Sequence, residues 1–211
     1  MSKITGLKRG KARGKPINVF LDGKLAIGLL PETALKESLQ VGQELAESAV
    51  EALSKADLRQ RCYNTPTRFL GYRPRSESEI RQRLVRHGYD ADTIEKTLDR
   101  LKEQGLADDS AFARFWIENR EAFSPRSQRM AKLELKRKGL NSDIIEQAVS
   151  SLDDRESAYR AAISRARRLA ALNHEDFRRR LGEYLVRRGF SYTVIREITE
   201  RAWKEYNNIS K

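Results

Sequence analysis

The sequence predicts a mainly α protein: a tandem array of three three-helix, helix-turn-helix-like repeats, preceded by a small N-terminal segment of β-hairpin and helix. Two observations predict it. The stretch LVRHGYDADTI at 84–94 returns as LKRKGLNSDII at 135–145 and as LVRRGFSYTVI at 185–195, with central glycines at 88, 139 and 189, steps of 51 and 50 residues. Upstream, YRPRS at 72–76 returns as FSPRS at 123–127, again 51 residues further on. Such a period marks stacked supersecondary units, each too small to bury an apolar face alone. The implied divisions are 1–56 for the N-terminal segment and 57–107, 108–153 and 154–211 for the three repeats.

In the N-terminal segment, PINVFLDGKLAIGLL places β-branched and aromatic residues around Asp22-Gly23, a strong signal for a two-residue hairpin. ITGL at 4–7 adds a third strand, and RGKARGK reads as a flexible basic connector. PETALKESL and GQELAESAVEAL read as helices, the second leading into the first repeat. So small a sheet needs cover from one of them.

The repeated stretch reads as a helix stop followed at once by a helix start. Each glycine (Gly88, Gly139, Gly189) takes the C′ position, where a left-handed backbone meets no Cβ penalty. Leu84, Leu135 and Leu185 are then C3, and Tyr89, Leu140 and Phe190 are C″, the apolar pair that accompanies a Schellman stop. Asp90, Asn141 and Ser191 follow, three different side chains able to cap the next helix. Ile94, Ile145 and Ile195 sit at N4 and complete a hydrophobic staple.

YRPRS and FSPRS mark the preceding helix starts. Ser76 with Glu79 makes a capping-box pattern; in the second copy Ser124 with Pro125 at N1 is as good a start as Ser127; in the third, which lacks the Pro-Arg-Ser element, Asn173 caps. First helices are expected near 57–71, 109–122 and 154–171, second near 76–87, 125–138 and 174–188, and third near 91–104, 142–151 and 192–206. Ile80, Leu84, Ile94, Leu98 and Leu101 fit one small core; Phe112, Phe115, Trp116, Leu133, Leu135, Ile145 and Val149 fit a second.

Of 211 residues, 39% are hydrophobic and 34% charged, which suits helical units with wide solvated faces. No apolar run approaches the ~18 residues of a membrane helix, so no membrane partner is expected. A single cysteine, Cys62, allows no internal disulfide and favours a reducing cytoplasm. His87 and His174 have no partners at metal or acid-base spacing, and His87 fills the slot of Lys138 and Arg188. Without a phosphate loop or nucleophile motif, neither enzyme activity nor a cofactor is expected.

The net charge of +12 points to an anionic partner. Residues 1–25 carry seven basic groups against Asp22, whereas residues 31–57 are acidic. Lys8, Arg9, Lys11 and Arg13 at one end, and Arg178, Arg179, Arg180, Arg187 and Arg188 at the other, are therefore candidates for non-specific contact with single- or double-stranded DNA. Beside helix stops, dipole compensation explains basic residues without a partner. Arg75 and Arg126 sit beside helix starts, where it does not, so with Arg81 and Arg83 they are the partner-binding candidates.

The hairpin NVFLDGKLAIG, the element YRPRSESEIRQRLVRHGY and the corners repeated every fifty-odd residues together resemble the RecX family, bacterial regulators of the RecA recombinase. The resemblance covers nearly the whole chain; the third repeat departs from it in lacking Pro-Arg-Ser. It implies a curved helical array, acting as a monomer, that lies in the groove of the RecA filament on DNA. It also implies modulation, most often inhibition, of filament growth, strand exchange, ATP hydrolysis and the co-protease activity that triggers the SOS response. No catalytic residue is inherited. Repeats contacting successive subunits would reinforce one another through effective concentration, and bridging would favour one filament geometry over others.

The competing expectation is a basic array that binds DNA directly, with affinity falling steeply in salt. Asp92, Glu95, Asp99, Asp143 and Glu146 on the third helices oppose base readout by those helices. Contact through the basic ends survives that objection.

Overall fold

The computed structural model describes residues 1–11 and 15–209. Arg13, named above as a phosphate candidate, lies outside the described residues. The chain forms two compact units, Met1–Arg73 with Ile80–Ala107, and Pro74–Glu79 with Asp108–Lys211.

The first unit opens with strands β1 (Ser2–Arg9), β2 (Ile17–Leu21) and β3 (Lys24–Leu29), then helix α1 (Pro31–Lys36) and strand β4 (Glu44–Leu45). They make an antiparallel sheet in the order β3-β2-β1-β4. The hairpin turns through Asp22 at φ 47° and Gly23 at φ 82°, the paired positive values that a type I′ turn requires. The sequence reading began a helix at Gly42; instead Gly42, at φ 97°, donates to the Ile4 carbonyl, and Glu44–Leu45 pair with Ser2–Lys3. A helix cannot pass through that backbone, so it starts later.

It starts, however, before the expected boundary at 57. Helix α2 runs unbroken from Glu47 to Leu70, joining the N-terminal segment to the first repeat. Asp57, only 5% exposed in the middle of that helix, accepts the Leu30 N–H at 2.6 Å and the Arg61 Nε at 2.5 Å. The sheet packs Ile4, Val19, Leu29 and Leu45 against Leu53 of the same helix. Further along α2, Cys62 enters a separate core with Ile80 and Leu84 of α3 (Glu77–Arg86) and Ile94, Leu98 and Leu101 of α4 (Ala91–Glu103).

In the second unit, α5 (Asp109–Phe123), α6 (Gln128–Arg137) and α7 (Ser142–Val149) enclose Phe112, Ala113, Ile117, Leu135, Ile145 and Val149. Leu133, expected in this core, is 41% exposed. It lies two residues from buried Leu135, about 200° away around the helix. Phe115 is half-buried. Next, α8 (Asp154–Ala166), α9 (His174–Val186) and α10 (Tyr192–Ile209) build the largest core. There Ala158, Ala161, Ala162 and Ala166 let α8 approach Phe177, Leu181, Leu185 and Ile198 closely.

The three corners form as the sequence dictates. Gly88, Gly139 and Gly189 have φ of 82°, 84° and 88°. In each the C″ amide reaches the C3 carbonyl: Tyr89 to Leu84 at 3.4 Å, Leu140 to Leu135 at 3.3 Å, and Phe190 to Leu185 at 3.4 Å. Each C′ glycine amide bonds the C2 carbonyl, on Val85, Lys136 and Val186, at 2.9–3.0 Å. Asp90 caps α4 through Thr93 N–H at 2.9 Å, Asn141 caps α7 through Ile144 N–H at 3.0 Å, and Ser191 caps α10 through Val194 N–H at 3.4 Å.

Candidate functional site: the joints at the repeat corners

The Pro-Arg-Ser elements are where the second unit is fastened together. Residues 74–79 belong to this unit and seat on the corner of the second repeat. Ser76, fully buried, donates its hydroxyl to the Lys138 carbonyl at 2.7 Å and accepts the Glu79 N–H at 3.1 Å as an N-cap. Asp109 Oδ1 accepts the Glu77 N–H at 2.8 Å. Lys138 Nζ returns to Glu79 Oε1 at 2.6 Å and lies 4.9 Å from the Trp116 ring. A Cβ built on Gly139 would stand 2.4 Å from Ser78 Cβ, so the glycine is required by its neighbour as well as by its φ.

The next joint repeats the plan. Ser127, also fully buried, is the N-cap of α6, accepting the Met130 N–H at 3.2 Å; Ser124 closes α5 instead of opening α6. The Ser127 N–H donates to the Arg188 carbonyl at 3.1 Å, and Asp154 Oδ1 accepts the Gln128 N–H at 2.7 Å. The Arg188 guanidinium donates to Ser124 Oγ at 3.0 Å and to the Pro125 carbonyl at 2.8 Å. Each joint thus takes a serine-capped helix start from one repeat, and a helix-stop glycine and a first-turn aspartate from the next. The corner at Gly88 has the same backbone, but a Cβ there would meet nothing within 4 Å.

These contacts relocate several residues singled out above. Arg188 is engaged in a joint and by the Tyr184 ring at 4.5 Å, so its charge is not presented outward. Arg126 lies 3.0 Å from Glu134, which also accepts the Arg120 Nε at 2.8 Å and the Trp116 Nε1 at 2.9 Å. Arg75 pairs with Glu79 at 3.9 Å. In the first unit Arg81 pairs with Glu95, while Arg83 lies 4.7 Å from the Phe69 ring and Lys8 5.3 Å from that of Phe20. Arg9 closes β1, and Lys11 follows in a bend. Arg178 pairs with Glu200 at 3.4 Å, and Arg179 with Asp176 at 2.8 Å. Arg180 and Arg187 are exposed and make no ion pair among the described residues.

His174 packs tilted against Trp203, with ring centroids 5.0 Å apart, and burial pushes the Cys62 thiol above its ordinary range. Among the described residues no group of three or more His, Cys, Asp or Glu side chains could hold a metal ion, and no helix is long and apolar enough to cross a membrane.

Sequence reasoning passed over two residues. Tyr72 and Phe123, the aromatic residues heading the repeated elements, are 87% and 81% exposed. The available signal was an aromatic kept at one repeat position outside the apolar periodicity of either core.

Comparison with known proteins fits this repeat plan. Family models described as the first, second and third three-helix domains of RecX match residues 62–101, 108–149 and 153–199. A regulatory protein RecX of Prosthecochloris aestuarii is 36% identical over 145 residues, covering 69% of this chain and 95% of that protein. The chain belongs to the RecX family. A RecX of Clostridium botulinum is 27% identical over 207 residues, 96% of this chain and 97% of that one. A crystal structure of a regulatory protein RecX superposes with a TM-score of 0.71 at 25% identity, covering 95% of this chain and all of that one. RecX from Lactobacillus salivarius shares the fold, with a TM-score of 0.59 over 70% of this chain and 97% of that one. The three RecX domains correspond to α2–α4, α5–α7 and α8–α10.

Proposed function

We propose that this chain regulates the RecA recombinase by binding its filament, inhibiting filament assembly, ATP hydrolysis, strand exchange and co-protease function, and so bearing on recombinational repair and the SOS response. The observation that carries the reading is membership of the RecX family across all three repeat domains. The fold adds a physical rationale. Three repeats of one plan give a partner with repeated subunits several equivalent footholds, and modest contacts then multiply through effective concentration. A regulator of this kind needs no chemistry, only different affinity for alternative filament states. Lys8, Arg9, Lys11, Arg180 and Arg187 are the residues we assign to supplementary, non-specific contact with DNA phosphates.

DNA-dependent ATP hydrolysis by RecA on single-stranded DNA, measured with this protein scarce and DNA plentiful, tests the reading. A fall in rate that extra DNA does not rescue is expected. No fall, or one abolished by spare DNA, would leave a DNA-binding protein without RecA specificity.

A further inference from the structure

In the first two repeats an ion pair ties the second helix to the third across the groove between them. Arg81 pairs with Glu95, and one period later Lys132 pairs with Glu146 at 2.5 Å. Fifty residues further on, the matching positions of the third repeat hold Gly182 and Arg196. The acid has become a guanidinium, and the cation it faced is gone. Arg196 is exposed, and its side chain makes no ion pair or hydrogen bond among the described residues. The acids that line one hollow with it, Glu197 and Glu200, are held by Arg155 at 3.0 Å and by Arg178 at 3.4 Å.

The fold gives no reason for Gly182. It lies inside α9, where glycine is the poorest helix former after proline. Its φ is not left-handed, and a Cβ built there would meet Ile195 Cγ2 at 3.7 Å, an ordinary contact. Neither the backbone nor a crowding neighbour requires it, in contrast to Gly139. A glycine where alanine would fit and would favour the helix marks a place where something from outside comes close to the backbone.

The chemistry of the gap indicates what comes. In the sister repeats a carboxylate and a cation meet in this groove; here only the cation is supplied from within. The surrounding charges are matched, Arg155 with Glu197, Arg178 with Glu200 and Arg179 with Asp176. One unpaired guanidinium among balanced pairs suits a single carboxylate better than a run of phosphates. Val186, one turn from Gly182, and Tyr192, one turn from Arg196, are 60% and 77% exposed, giving the groove apolar shoulders of the kind a protein surface covers.

We infer that the α9–α10 groove of the third repeat is a docking slot for an acidic segment of a protein partner, whose aspartate or glutamate pairs with Arg196 while its backbone lies over Gly182. The inference rests on the RecA reading and deepens it by naming a surface and the chemistry of the segment it takes. It gives the third repeat, which lacks Pro-Arg-Ser, a role the other two do not share.

The experiment measures inhibition of RecA ATP hydrolysis and co-sedimentation with RecA filaments on single-stranded DNA. It compares wild type with Arg196→Glu and with the pair Gly182→Lys, Arg196→Glu, which rebuilds the ion pair of the second repeat and closes the groove. Both are expected to raise the concentration for half-inhibition about tenfold or more. The paired variant is expected to melt no lower than wild type, so that its loss is not unfolding. Gly182→Ala is expected to melt higher than wild type; a lower value would show that the fold requires the glycine and overturn the inference. Undiminished regulation by the paired variant would overturn it too and leave the RecA reading standing, whereas a wild type without effect on RecA would overturn both. A matching fall in affinity for single-stranded DNA alone would make Arg196 a phosphate ligand and overturn the protein assignment.

Discussion

The hydroxyl oxygen of Ser127 stands 2.6 Å from the point a β-carbon on Gly189 would occupy, and Ser78 crowds Gly139 in the same way. The two glycines therefore answer to two demands, a left-handed backbone and a neighbouring repeat. Gly88 answers only to the first. Gly88→Ala is expected to cost about 1–2 kcal/mol for the left-handed alanine. Gly139→Ala adds overpacking of roughly 1–3 kcal/mol. Urea denaturation of both variants separates the contributions, and equal losses would refute the close approach.

Arg126→Glu places a carboxylate beside Glu134, whose side chain is 12% exposed and already serves Arg120 and Trp116. A loss of roughly 1–3 kcal/mol is expected, as for charged hydrogen bonds broken in a half-buried network. Restoration in a paired Glu134→Arg variant is not expected, because Trp116 and Arg120 would then face a cation. Thermal melting of the single and paired variants checks both statements.

The Thr93 backbone N–H, with the Thr93 hydroxyl, holds the Asp90 carboxyl below its usual range. A depressed native value means that the cap's contribution is fully present above the unfolded carboxylate's pKa, near 4, and is lost as pH falls through the native value. Asp90→Asn keeps an accepting oxygen and removes the titration. Its melting temperature is expected to fall less steeply than that of wild type below about pH 4. Parallel acid limbs would contradict this assignment.

Cys62 is fully buried against Ile80, Leu84 and Leu98, and its thiol is held in the neutral form by desolvation. A disulfide reagent at pH 8 is expected to label it only at the rate of local opening, and at once in denaturant. Rapid labelling of the folded chain would mean that the α2–α4 core opens readily.

Local structure was legible because its causes are local. A leucine and, after one intervening residue, a basic pair, a glycine, an apolar residue and a capping side chain follow in fixed order, and each corner follows from that order. The two seats were legible only as repetition. Nothing in YRPRS states that Ser76 meets the Lys138 carbonyl, 62 residues away. The same gap made Arg188 read as a phosphate ligand, since a cation before a glycine looks alike whether water or Pro125 lies beyond it. The continuity of α2 was missed for another reason. The sequence division fell at 56/57, whereas burial and the Leu30 amide make the Asp57 carboxylate part of a helix interior.

The fastening at the corners has a direction. The earlier repeat always supplies the hook, a serine-capped helix start, and the later one the eye, a bare glycine with its carbonyl and aspartate. Gly88 is an eye with nothing in it. The third repeat keeps a cap in Asn173 but has Ala171 and Leu172 where Pro and Arg stand in the others, so it carries no hook. Hooks at one end and open eyes at the other would let copies thread head to tail into an open-ended fibre, the hazard of any non-closing contact. With Ala171 and Leu172 in place of Pro and Arg, that complementarity is missing among the described residues: a protein built from links, and proposed to act on a polymer, does not offer its own copies the clasp that joins its repeats.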